Sequence, residues 1–107
     1  MPFEIVLAPQ AVEGLRALRP DFQSGVKDAI ERHLRHEPAK LSKSRIKRLR
    51  GVDRPQYRLR VNEVRVFYDV TETTVEVLAI IPKAQAEAWL AEEAVTTPPG
   101  RPGKGKG

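Results

Sequence analysis

The chain has 107 residues, carries 19 Lys and Arg against 14 Asp and Glu, and reaches a pI near 9.9 without a single cysteine. That length gives one domain with one modest core, and the missing cysteines exclude disulfides and thiolate metal sites. The net charge of +5 points to a polyanionic or acidic partner. The apolar run at the N-terminus is too short for a signal peptide or a membrane span, so the expected setting is a reducing cytoplasm with no membrane contact.

Phe3 to Leu7 reads as a first strand. Pro9 then suits the first turn of a helix, where its missing N–H costs nothing; Val12, Leu15 and Leu18 share one face of that helix. Arg19-Pro20-Asp21 breaks the chain, with Asp21 as the expected N-cap of a second helix. There Val26, Ala29, Ile30 and Leu34 recur at helical spacing up to Glu37-Pro38. The two helices are expected to form a hairpin with a shared apolar face. His33 reads as a partly buried structural histidine, and His36 near the helix end as a favourable partner of the helix dipole or simply exposed.

Lys40 to Asp69 holds ten basic and three acidic residues, a local charge of +7, so the positive charge is concentrated there. After a loop over 39–44, Ile46 to Arg50 is expected to enter the sheet, and Gly51 to Pro55 to turn. Apolar and basic residues alternate in Tyr57-Arg58-Leu59-Arg60-Val61, and the alternation resumes in Val64 to Val70. Strand side chains point alternately to two faces. A two-residue connection at Asn62-Glu63, with Asn tolerating positive φ, pairs Val61 with Val64, Leu59 with Val66 and Tyr57 with Tyr68. On the other face it sets Arg60 against Arg65 and Arg58 against Phe67. Like charges directly opposite destabilise a sheet, so the arginine face is expected to meet an anion.

Val75 to Ile81 is a nearly continuous apolar strand, as expected where a sheet is covered on both faces, and Pro82 closes it. Lys83 to Glu93 reads as a short helix with Ala86, Trp89 and Leu90 on one face; Trp89 is expected to pack it on the sheet. Residues 95–107 form a basic Pro/Gly-rich tail that cannot bury a core, leaving residues 1–94 as the domain. No glycine-rich phosphate loop, metal-ligand spacing or nucleophilic triad is present.

The order of strand, helix hairpin, basic loop, three-stranded meander and short helix resembles the RelE/ParE superfamily of bacterial type II toxins. The resemblance covers Phe3 to Glu93. It is carried by Lys47-Arg48-Leu49-Arg50-Gly51, Tyr57-Arg58-Leu59-Arg60, Val64-Arg65-Val66-Phe67-Tyr68 and the strand Val75 to Ile81. It implies an α+β fold: a small mixed, mainly antiparallel sheet with the helix hairpin on one face and a short C-terminal helix. It further implies a toxin neutralised by a cognate antitoxin protein. In the RelE branch that toxin acts as an mRNA interferase, an endoribonuclease that inhibits translation by cutting mRNA on the ribosome, with no metal or cofactor.

By that resemblance Arg58, Arg60, Arg65 and Lys83 are the catalytic candidates. Lys47, Arg48, Arg50, Tyr57, Phe67 and Trp89 are candidates for RNA binding. Arg58 and Arg60 stand where RelE enzymes commonly have lysines, and arginine keeps its proton; the 2′-OH would have to lose its proton to Lys47, Lys83 or a tyrosine. Arg65→Ala is expected to abolish toxicity with the fold intact. Two alternatives accompany this reading: a ParE-like inhibitor of DNA gyrase, and a catalytically weak relative that binds antitoxin and represses transcription.

Overall fold

The computed structural model describes residues 1–96. Eight elements follow in order: β1 (Glu4–Leu7), α1 (Pro9–Ala17), α2 (Pro20–Leu34), β2 (Ile46–Arg48), β3 (Tyr57–Val61), β4 (Val64–Val70), β5 (Thr74–Pro82) and α3 (Lys83–Glu93). The strands form one sheet in the order β1-β5-β4-β3-β2, with β1 parallel to β5 and every other pair antiparallel. The α+β architecture expected from the sequence is therefore the one observed.

Alternation in β3 and β4 sets the sheet's two faces. Leu59, Val66 and Tyr68 are fully buried and join Val26, Ile30 and Leu34 of α2 in the main core. The hairpin register is the one the alternation demands, Val61 against Val64 through Tyr57 against Tyr68. Asn62 takes φ 53° at the turn, the left-handed region that a short polar side chain tolerates. Tyr68 stacks on Tyr57 with centroids 5.5 Å apart, and its hydroxyl donates to the Pro38 carbonyl at 2.6 Å. That bond satisfies a phenol that would otherwise be buried without a partner.

The helix hairpin sits close against β5. A Cβ on Gly14 would lie 2.0 Å from the Ile80 carbonyl oxygen, so only glycine lets α1 approach the strand backbone this closely. Each helix of the hairpin starts with proline, α1 at Pro9 and α2 at Pro20. The N-cap of α2 is Arg19, not the expected Asp21. Proline's fixed φ suits the first helical position, which puts Asp21 inside the first turn, 3.5 Å from Arg19 Nε.

β5 is an interior strand, with α1 on one side and α3 on the other. Its pairing with β4 slips between Phe67 and Tyr68: Phe67 pairs with Ala79 and Tyr68 with Val77, which leaves Leu78 as a bulge residue. β2 is shorter than the expected 46–50, although the Leu49 N–H still donates to the Gln56 carbonyl at 2.9 Å. Beyond α3 the chain is tied back: Val95 forms a bridge with Arg54, its N–H donating to the Arg54 carbonyl at 2.8 Å and its carbonyl accepting from Asp53 at 2.7 Å. Val95 was expected to begin the tail, and residues 97–107 lie outside the described part of the chain. No helix among the described residues is long and apolar enough to cross a membrane.

Candidate functional site

The sheet face turned away from the helix hairpin carries the arginines. In register across β2, β3, β4 and β5 lie Lys47, Arg58, Phe67 and Ala79, and in the next row Arg60, Arg65 and Ile81. α3 covers one end of this face. Trp89 stacks on Phe67 with centroids 4.9 Å apart and planes 15° apart, and Phe67 is fully buried. Beside the helix the face stays open as a cleft of about 570 Å³, bordered by Leu49, Arg58, Glu63, Arg65, Lys83 and Glu87.

The two cleft arginines are held differently. Arg65 is only 6% exposed, and its Nη1 donates to the carbonyls of Asn62 at 2.8 Å and Val64 at 3.1 Å. The guanidinium thus fastens the β3–β4 turn from beneath. This is how the sheet tolerates Arg60 directly opposite Arg65: one charge bends back onto carbonyl dipoles while the other is exposed. Arg58 is half-buried, and its Nε has no hydrogen-bond partner within the protein. Burial first, then the charges of Arg65 and Arg60, lower its pKa from the ordinary guanidinium value. It remains a cation at neutral pH. A buried N–H without an acceptor is costly, and an anionic oxygen is the acceptor that would satisfy it best.

Lys83 begins α3 at the cleft mouth, its N–H donating to the Glu63 carbonyl at 2.7 Å. Of the catalytic candidates, Arg58, Arg65 and Lys83 therefore border one cleft. Arg60 instead borders a separate cavity with Ser44, Arg45 and Asn62.

The binding candidates divide between the two faces. Lys47 is paired with Arg58, on the open face. Arg48 and Tyr57 are cross-strand partners on the helix-hairpin face, where the Arg48 guanidinium carbon lies 5.3 Å from the Tyr57 ring centroid. Arg50 is exposed in the turn that follows β2. Phe67 borders the cleft beneath the cover of Trp89, and Trp89 itself borders a different cavity with Pro9, Pro55 and Leu78. Strand alternation separates these residues: neighbours in sequence point to opposite sides.

Neither β-sheet tyrosine can serve as a base on the open face. Tyr57 and Tyr68 stack on the other side, and burial, with Tyr57 adding to it, drives the Tyr68 pKa well above its ordinary value. Glu63 and Glu87, absent from the sequence-based candidates, also border the cleft. The signal for Glu63 was its place in the turn beside Val64-Arg65; Glu87 needed the orientation of α3, which no local pattern supplies. Among the described residues no group of three or more acidic or histidine side chains could hold a metal.

The model of the ParE toxin of the type II toxin–antitoxin system parDE matches residues 5–87. The chain belongs to this toxin family, within the RelE/ParE superfamily. Solved structures of the same fold include the RelBE2 toxin–antitoxin complex from Mycobacterium tuberculosis, at 23% identity and a TM-score of 0.63, covering 77% of this chain and 99% of that one. The archaeal RelE–RelB complex from Pyrococcus horikoshii gives 23% identity and a TM-score of 0.64, over 79% and 99% of the two chains. The YoeB dimer from Staphylococcus aureus is more distant, at 19% identity and 0.52, over 72% and 92%. No curated protein is significantly similar in sequence. The chain is thus a RelE/ParE-family toxin of a type II system, as its strand and arginine pattern implied.

Proposed function

We propose that this toxin cleaves mRNA on the ribosome, using the open face of the sheet. The observation that carries the reading is Arg58: a guanidinium with an enclosed, unpartnered Nε at a cleft that Arg65 and Lys83 also border. Cleavage by the ribose 2′-OH needs a proton acceptor, cations on the phosphate and a proton donor. Glu63 or Glu87 takes the 2′-OH proton as the 2′-oxygen attacks phosphorus. Arg58 and Arg65 hold the non-bridging oxygens as negative charge develops. The bond to the 5′-oxygen breaks, the Lys83 ammonium supplies its proton, and a 2′,3′-cyclic phosphate is left. The carboxylates answer the difficulty raised by arginines at the usual lysine positions. An antitoxin, the partner in the RelE complexes of the same fold, either masks the arginine face with acidic residues or displaces α3.

The test is in vitro translation with the purified toxin, mapping mRNA 5′ ends by primer extension. New ends inside codons that depend on ribosomes, and that vanish with Arg58→Ala, are expected. Intact mRNA during inhibited growth would overturn the reading.

The second reading, inhibition of DNA gyrase without RNA chemistry, is favoured by the match to the ParE model. Loss of supercoiling by purified gyrase on adding the toxin distinguishes it, since a ribonuclease leaves supercoiling unchanged.

A further inference from the structure

A second group of cations lies off the open face, where α2 ends against the loop before β2. Arg32, His33, His36, Lys40, Ser42 and Arg45 border a cavity of about 220 Å³. Two of its cations are paired: Arg32 with Asp28 at 3.3 Å and Lys40 with Glu37 at 3.8 Å. Glu37 is the acid on the cavity wall. Among the described residues, His33, His36 and Arg45 have no carboxylate partner within 4.0 Å. Arg45 is held in place by its backbone: its N–H donates to Ser42 Oγ at 3.0 Å, and its carbonyl accepts from the Arg60 N–H at 2.8 Å.

The same Arg45 borders the cavity of Ser44, Arg60 and Asn62, of about 300 Å³, and Arg60 stands opposite Arg65. Cationic side chains therefore follow one another from α2, around the β2–β3 corner, to the cleft.

We propose that this series is a phosphodiester track, and that the His33/His36/Arg45 cavity seats a backbone phosphate of the RNA strand whose neighbouring nucleotides lie on the open face. The inference rests on the ribonuclease reading above. Cavity chemistry favours a phosphodiester over an acidic peptide. The Arg60 cavity has no apolar side chain to receive a peptide's residues, and the α2 cavity is small and rich in donors. Leu41, 57% exposed at its border, supplies an apolar contact for a ribose or base. His33 is sensitive to such a ligand. Burial, then Arg45 and Arg32, hold its pKa below the ordinary imidazole value. A phosphate between the imidazole and those cations would raise it.

The probe is a 12-nucleotide single-stranded RNA with an end label, its binding to the full chain followed by fluorescence anisotropy over a salt series. Arg45→Ala keeps both backbone bonds of that residue and should fold. It is expected to weaken binding about fivefold at 0.1 M salt and to lower the slope of log K against log salt by about 0.7, the effect of one phosphate contact on a single strand. Arg16→Ala, the same charge change outside both cavities, should leave the slope unchanged. Saturating RNA should raise the His33 pKa in an NMR titration, and H33Q should remove the tightening of binding between pH 7.5 and 5.5. An Arg45→Ala protein that matches Arg16→Ala, or a His33 titration unmoved by RNA, overturns the track and leaves the open-face reading standing if Arg58→Ala still abolishes cleavage. Loss of binding in Arg45→Ala, from a toxin that never cuts mRNA on ribosomes, supports the track and sinks the nuclease reading.

Discussion

Trp89 lies flat on Phe67, 4.9 Å between centroids and 15° between planes, and this stack packs α3 on the sheet. The helix has no fully buried residue. Removing the indole strips Phe67 of its cover, while half-buried Ala86 and Leu90, the Lys83 N–H and the Val95 bridge still tie α3 to the sheet. Trp89→Ala is expected to cost about 2 kcal/mol, less than the roughly 3–5 kcal/mol of truncating a fully buried aromatic, because Trp89 is only half-buried. Urea denaturation followed by circular dichroism checks it; an unchanged midpoint would show that the stack contributes nothing.

Arg65 fastens the β3–β4 turn as well as bordering the cleft, so the expectation that Arg65→Ala leaves the fold intact needs correction. The variant frees two turn carbonyls, and it is expected to lose roughly 1–3 kcal/mol of stability as well as toxicity. Arg58→Ala is the cleaner variant, because the Arg58 Nε bonds to nothing in the protein. It should unfold within about 0.5 kcal/mol of the parent yet lose toxicity. Thermal melts beside growth assays separate the two effects, and a toxic Arg58→Ala would remove that residue from the site.

Gly14→Ala tests the contact between α1 and β5. The added methyl would lie 2.0 Å from the Ile80 carbonyl oxygen, so the helix must lift or the strand must bend. A loss of about 3 kcal/mol is expected, against the slight gain that alanine gives in an unconstrained helix. A variant as stable as its parent would place the helix further from the strand.

Asp69 gives a pH signature. Burial raises its pKa from the ordinary 3.8, against the lowering effects of the Gln56 N–H and Arg54. A carboxyl whose pKa is higher in the folded than in the unfolded chain binds its proton more tightly when folded. Its contribution to stability is therefore greatest below pH 3.8 and is lost as pH rises through the raised value. Asp69→Asn can still accept the Gln56 N–H, which reaches Oδ1 at 2.7 Å. Between pH 6 and 4 the difference in unfolding free energy between parent and variant should shift in favour of the parent. A constant difference would contradict the raised pKa.

What the sequence disclosed was what alternates. Arg58 and Arg60 between Tyr57, Leu59 and Val61 dictated two faces and, with Asn62, a register that matches residue for residue. The bulge at Leu78 was hidden, because in an unbroken apolar run a slip of one residue leaves no trace in the pattern. The division of Arg48 and Tyr57 from Lys47 and Arg58 was also hidden, because it depends on how the short strand β2 pairs with β3. That pairing comes from a loop with no periodicity of its own. The place of Glu87 at the cleft depended on where α3 lies, and the contacts that seat α3, Trp89 on Phe67 and the Val95 bridge, join residues distant in sequence.

The anchoring of Arg65 has a kinetic and entropic consequence. A free arginine must freeze several torsions when it grips an anion, at roughly 2 kcal/mol of rotamer freedom. Here that ordering takes place when the β3–β4 turn closes, as Nη1 settles on the carbonyls of Asn62 and Val64. On the proposed reading, an anion would meet a cation whose torsions are already fixed, and binding at this position would depend on the shape of the ligand rather than on the adaptability of the protein.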